Sequence, residues 1–141
     1  MPPDPAPPNP PPSPDQAHTL LSKAAEDAAL AAKLAPDAEV SDEHIGFFCQ
    51  QAAEKAIKAV LARRGIRYRR THELAELLDV LIDHAIPFPP QVESAKELTL
   101  FAAALRYDYL PPDAAGEGAF DRAEAVRIAA VVVAWAVEAC R

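Results

Sequence analysis

Between Arg63 and Arg70 the chain carries five of its fourteen lysines and arginines, as RRGIRYRR, and Thr71-His72 follows at once. Guanidinium groups grip phosphate oxygens in pairs, a tyrosine ring stacks on a base, and a histidine exchanges a proton near neutral pH. Arg67, Tyr68, Arg69, Arg70 and His72 are therefore candidates for contact with a nucleotide or phosphate. One or two arginines need no ligand at this place, because cations are favoured at the C-terminal end of a helix dipole. Five with a tyrosine among them exceed that need. His72, at the start of the next helix, also reads as a capping or packing residue.

The stretch leading into this turn, FFCQQAAEKAIKAVLA, has a second polar set. At about 100° per residue, Gln50, Gln51, Glu54, Lys55 and Lys58 project opposite a stripe of Ile45, Phe48, Cys49, Ala52, Ala56, Ala59 and Val60. Phe47 falls on the polar side as well. One reading is a solvated outer face, with Phe47 packed on a neighbouring helix. The other is a nucleotide or partner surface built from Phe47, Gln50, Gln51, Lys55 and Lys58, in which glutamine supplies donor and acceptor and lysine a point charge.

These side chains need helices to hold them, and the pattern is helical almost throughout. Residues 16–35 place Leu20, Leu21, Ala24, Ala28, Ala31 and Ala35 near one face, with Pro36 beyond. Ser41 followed by two acids is a helix start, and Gly65 is a stop in the usual position after the last turn. Thr71 is expected to cap a third helix with the stripe Leu74, Leu77, Leu78, Leu81 and Ile82. Pro89-Pro90 opens a fourth, along which Val92, Ala95, Leu98, Ala102 and Leu105 align. A fifth, about 120–140, is apolar enough to be expected as the most buried. With no strand-like alternation, the expected fold is all-α, an antiparallel bundle of about five helices over residues 16–141.

Composition narrows the classes. Nine of the fifteen prolines lie in the first fourteen positions, so residues 1–15 are expected to be a disordered, polyproline-like tail. A net charge of −7 argues against general nucleic-acid affinity and makes the local basic turn the more informative feature. Neither an export signal nor a membrane-spanning run is read, so a cytoplasmic location is expected, with Cys49 and Cys140 as reduced thiols. Two cysteines without spaced partners give no metal cluster, and no cofactor is expected.

The segments FFCQQAAEKAIKAVLARRGIRYRRTHELAELL and LTLFAAALRYDYLPP, at 47–78 and 98–112, resemble the HEPN domain family (higher eukaryotes and prokaryotes nucleotide-binding). The most specific pieces are Phe47 with Gln50-Gln51, then Ala53-Glu54-Lys55-Ala56 and Lys58, Thr71-His72-x-Leu74, and Leu98-Thr99 leading to Arg106-Tyr107. The resemblance implies a helical bundle, commonly a homodimer, often encoded beside a minimal nucleotidyltransferase as a toxin–antitoxin pair. It implies, for many members, a metal-independent ribonuclease that uses an Arg-x4-6-His motif on a late helix at the dimer interface.

Arg106 stands at the position of that late-helix arginine, but no histidine follows it in the chain. Arg67-x4-His72 has the spacing yet straddles a turn, and Asp108 replaces the proline expected after Arg-Tyr. The primary expectation is thus a non-catalytic, dimeric subunit that binds a nucleotide or a nucleotidyltransferase partner. The alternative is a ribonuclease in which His72 faces Arg106 and Asp108, handling RNA without metal.

Overall fold

The computed structural model describes residues 12–99 and 121–141. Among these residues it contains five helices and no strand: α1 (Pro14–Leu34), α2 (Asp42–Arg63), α3 (Leu74–Asp83), the short α4 (Pro90–Glu93) running into a 3-10 segment (Ser94–Leu98), and α5 (Arg122–Ala139). No helix among them is long and apolar enough to cross a membrane.

Helix α1 starts earlier than its apolar spacing implies, because Ser13 and Gln16 close a capping box in front of Pro14. Ser13 N–H donates to Gln16 Oε1 at 2.8 Å, and Gln16 N–H to Ser13 Oγ at 3.3 Å. Each bond satisfies a donor that has no partner within the helix. Pro14 and Asp15, expected in the tail, thus form its first turn; of the rest of that tail, residues 1–11 lie outside the described residues. Ser41 caps α2 as expected, accepting from His44 N–H.

Helix α2 is the centre of the molecule. Ile45, Cys49, Ala52, Ala53, Ala56, Ile57, Ala59, Val60, Leu61 and Ala62 are all fully buried. It lies against α1 along one side and α5 along another. The alanines Ala24 and Ala31 of α1 have no exposed surface, which lets the two backbones approach closely. The expectation that α5 is the most buried helix is corrected here. Only Ala125, Ile128, Ala129, Val132 and Ala136 of α5 are buried, and its other valines are half-covered. High apolar content reports how much surface could be buried; position in the bundle decides how much is.

Helix direction follows from two arginines at opposite ends. Arg122, opening α5, donates to the carbonyls of Ala35 and Asp37 at 3.1 and 3.0 Å and to that of Val40. Its Nε reaches Asp42 Oδ1 at 2.6 Å. Arg63, closing α2, donates to the carbonyl of Cys140 at 3.2 Å. Helices α2 and α5 therefore run the same way, both against α1.

Two further expectations change. Thr71 does not cap α3: Glu73 is the N-cap residue, and Thr71 Oγ1 instead accepts from Glu73 N–H at 3.0 Å, so the helix begins at Leu74. The fourth helix breaks into an α turn and a 3-10 turn after Pro90, and Ala102 and Leu105 lie outside the described residues.

Candidate functional site

The loop from Gly65 to Glu73 is held on α2 by a buried polar cluster. It starts with the end of α2, where Gly65 takes φ +69° and lets Ile66 N–H reach back to the Leu61 carbonyl at 2.9 Å. Its own N–H bonds the Ala62 carbonyl at 3.0 Å. This pair of bonds turns the chain sharply, so that Tyr68, Thr71 and His72 come back along the helix they have just left.

Glu54 is at the middle of the cluster. Its side chain is only 5% exposed, and three side-chain nitrogens converge on it. Oε1 accepts from Gln50 Nε2 at 3.1 Å and lies 2.8 Å from His72 Nδ1; Oε2 accepts from Lys58 Nζ at 3.2 Å. Gln50 Nε2 also donates to the backbone carbonyl of His72 at 3.1 Å, while its Oε1 accepts from Gln51 Nε2 at 2.7 Å. Lys58 Nζ lies 5.6 Å from the centre of the Tyr68 ring, a cation–π distance. Burial, and then the charge of Glu54, push the Tyr68 hydroxyl above its usual range.

The polar side of α2 is therefore not a solvated face. Gln50 is fully buried and Glu54 nearly so, because the returning loop covers that side, and the helix carries polar groups there to satisfy a polar lid. A helical projection alone misses this, since it shows which residues share a side and not what lies on it. Lys55 is committed elsewhere, to Asp27 of α1 at 2.6 Å. Phe47 is half-buried and its ring centre lies 6.0 Å from that of Phe48.

Cations are still presented at the loop itself. Arg67 and Arg70 are exposed, and neither has a hydrogen-bonding partner among the described residues. Arg69 is exposed too but is paired with Glu76 at 2.8 Å. His72 remains 44% exposed at its side chain. Among the described residues no three of His, Cys, Asp and Glu gather in a way that would hold a metal ion.

The loop also meets the chain beyond α4. Thr99 Oγ1 accepts from the N–H of Leu74 at 3.1 Å, satisfying a first-turn donor of α3. The segments Thr71-His72-x-Leu74 and Leu98-Thr99, far apart in sequence, are thus side by side. A family model named HEPN domain matches residues 17–140, nearly the whole chain.

The chain belongs to the HEPN domain family.

Comparison with curated proteins and with solved structures gives no match. Within this HEPN domain Gln50, Lys58, Tyr68 and His72 converge on one cluster. Lys55 and Phe47 make their contacts elsewhere, with Asp27 and Phe48, and Arg67 and Arg70 are exposed in the loop that supplies Tyr68 and His72. Arg106 and Asp108 lie outside the described residues. The group that sequence reasoning left without a role is Glu54. Its signal was present as an acid four residues from both Gln50 and Lys58 on one helical face.

Proposed function

We propose that this HEPN domain binds a nucleotide or an RNA phosphate at the edge formed by Arg67, Arg70 and His72, as a subunit partnered with a minimal nucleotidyltransferase. The single observation that carries the reading is the division of labour among its cations. Lys55, Lys58 and Arg69 are paired with carboxylates, whereas Arg67 and Arg70 are exposed in the same loop as His72, whose ring lies against Glu54. An exposed guanidinium without an acidic partner is available to phosphate. The nucleotide surface expected from Lys55 and Lys58 moves accordingly to the loop. Formation of a homodimer and of a toxin–antitoxin pair belong to the same proposal.

Titration with labelled ATP and with a short single-stranded RNA tests it. Arg67→Ala and Arg70→Ala are expected to weaken binding, each lowering the slope of log affinity against log salt by about 0.7 for RNA. Absence of binding to either probe, together with failure to co-purify a nucleotidyltransferase from its native host, would overturn it.

A second reading, a metal-independent ribonuclease, is favoured by the 2.8 Å contact between His72 Nδ1 and Glu54. A carboxylate behind a histidine orients the opposite nitrogen for general acid–base work. RNA cleavage in the presence of chelator, lost in His72→Ala and in Arg106→Ala, is the expected result. Intact RNA after incubation with the dimer would remove this reading.

A further inference from the structure

We propose that Glu54 is the positioning residue for His72, holding the imidazole in the tautomer that carries hydrogen on Nδ1 and turns the Nε2 lone pair toward the ligand edge. The functional half of this proposal rests on the reading that His72 meets the ligand. The tautomer is a property of the free protein.

The assignment follows from donors and acceptors alone. Glu54 Oε1 has two neighbours within hydrogen-bond distance, Gln50 Nε2 and His72 Nδ1, and Oε2 has Lys58 Nζ. The orientation of the Gln50 amide is fixed independently, because its NH2 group lies against two acceptors, Glu54 Oε1 and the His72 carbonyl. Reversing it would set oxygen against oxygen twice and would deprive Gln51 Nε2 of its acceptor. The Lys58 ammonium has only hydrogens to offer. Each Glu54 oxygen thus already accepts from a fixed donor, Gln50 Nε2 on Oε1 and Lys58 Nζ on Oε2, and the carboxylate acts as the acceptor of the cluster. The hydrogen between it and His72 must belong to Nδ1, leaving Nε2 as the unprotonated nitrogen of the neutral ring.

Burial makes the arrangement rigid. The Glu54 side chain is 5% exposed and that of Lys58 12%, while His72 is 44% exposed. The anchor is inside and the working end is outside. Gln50 adds a second restraint by holding the His72 backbone carbonyl, so both the main chain and the ring of His72 are fixed from α2. If Nε2 takes a proton from a ligand hydroxyl, the ring becomes an imidazolium with hydrogen on both nitrogens. Nδ1–H stays bonded to Glu54, and no proton passes to the carboxylate. If Nε2 only accepts a hydrogen bond, the same tautomer is required.

Long-range nitrogen–proton NMR of the full chain reads the tautomer directly at a pH where the ring is neutral, with His72→Ala identifying the signal among the four histidines. The expected result is the Nδ1–H form in the wild type, the reverse of the preference of free histidine in water. Glu54→Gln keeps an acceptor oxygen and is expected to keep that form; Glu54→Met removes it and is expected to move the ring toward Nε2–H. A wild-type Nε2–H signal would overturn the proposal, as would an unchanged Nδ1–H signal in a folded Glu54→Met protein. Should Glu54→Met fail to fold, the wild-type and Glu54→Gln spectra still decide it.

The second readout is affinity for single-stranded RNA. Glu54→Met is expected to weaken it by about as much as His72→Ala, of order tenfold, and the double variant by no more than His72→Ala alone. Strictly additive losses would show that Glu54 does not act through His72. If no protein binds RNA, the functional reading fails while the tautomer result stands by itself.

Discussion

Gln50 Nε2 donates a hydrogen bond to the backbone carbonyl of His72 across twenty-two positions of chain, at 3.1 Å and from a side chain with no exposed surface. That bond joins the centre of the buried helix to the loop bearing the arginines. It gives the paired glutamines of α2 an architectural purpose.

Replacing Gln50 with Leu removes this bond and leaves the His72 carbonyl without its side-chain partner. Stability measured by urea denaturation is expected to fall by about 1–3 kcal/mol, the cost of stranding a buried polar group. Hydrogen exchange should quicken from Tyr68 to Glu73 before it does in α1 or α5. Uniform loosening of all helices would argue that Gln50 merely fills space.

Lys55 and Lys58 resemble each other in sequence and differ in consequence. Lys58→Ala leaves the buried Glu54 charge without its cation and is expected to cost about 3 kcal/mol, the lower end of the range for breaking a buried pair, since Gln50 still donates to it. Lys55→Ala breaks a more exposed pair with Asp27 and is expected to cost about 1 kcal/mol or less. Thermal or chemical denaturation of the two variants side by side checks the ordering.

At the end of α3, Ala85 takes φ 56°, in the left-handed region that glycine adopts without strain. Ile86 N–H reaches back to Leu81 O at 2.9 Å and Ala85 N–H to Ile82 O at 3.0 Å, the same pair of bonds that Gly65 makes after α2. Ala85→Gly is expected to stabilise the protein by up to about 1 kcal/mol, strain relief outweighing the added freedom of the unfolded chain. A lower midpoint in denaturant would contradict it.

Burial pushes the Cys49 thiol from 9.0 up to about 12. A raised value in the folded state means that the unfolded chain loses its proton first as pH rises. The thiol's contribution is therefore intact below pH 9 and is lost progressively from there toward pH 12. At pH 10 the wild type should have lost on the order of 1 kcal/mol that Cys49→Ala does not lose. Parallel denaturation curves at pH 8 and pH 10 for both proteins measure it. The same burial should keep Cys49 unreactive toward thiol reagents until the protein unfolds.

The helices themselves were legible in local chemistry. Ser41, Gly65 and the apolar spacing of α2 and α3 are short-range signals, and they place those elements within a residue or two of where they lie. Family membership was legible for a similar reason, because several short motifs stand in order along the chain. Local signals erred where two candidates compete within a few residues. Thr71 is a good capping residue by type, yet it turns inward to its own loop and Glu73 takes the cap position.

What only the tertiary structure decided was the use of each polar side chain. Sequence places Gln50, Glu54 and Lys58 on one side of a helix and His72 just past the turn that follows it. Nothing local says that the turn folds back over that side, which is what converts a projected solvent face into a buried carboxylate with three nitrogen neighbours. It likewise assigned α2 rather than the more apolar α5 to the centre, because burial depends on how many neighbours a helix has. Periodicity is a property of one helix, whereas pairing and burial belong to the space between several.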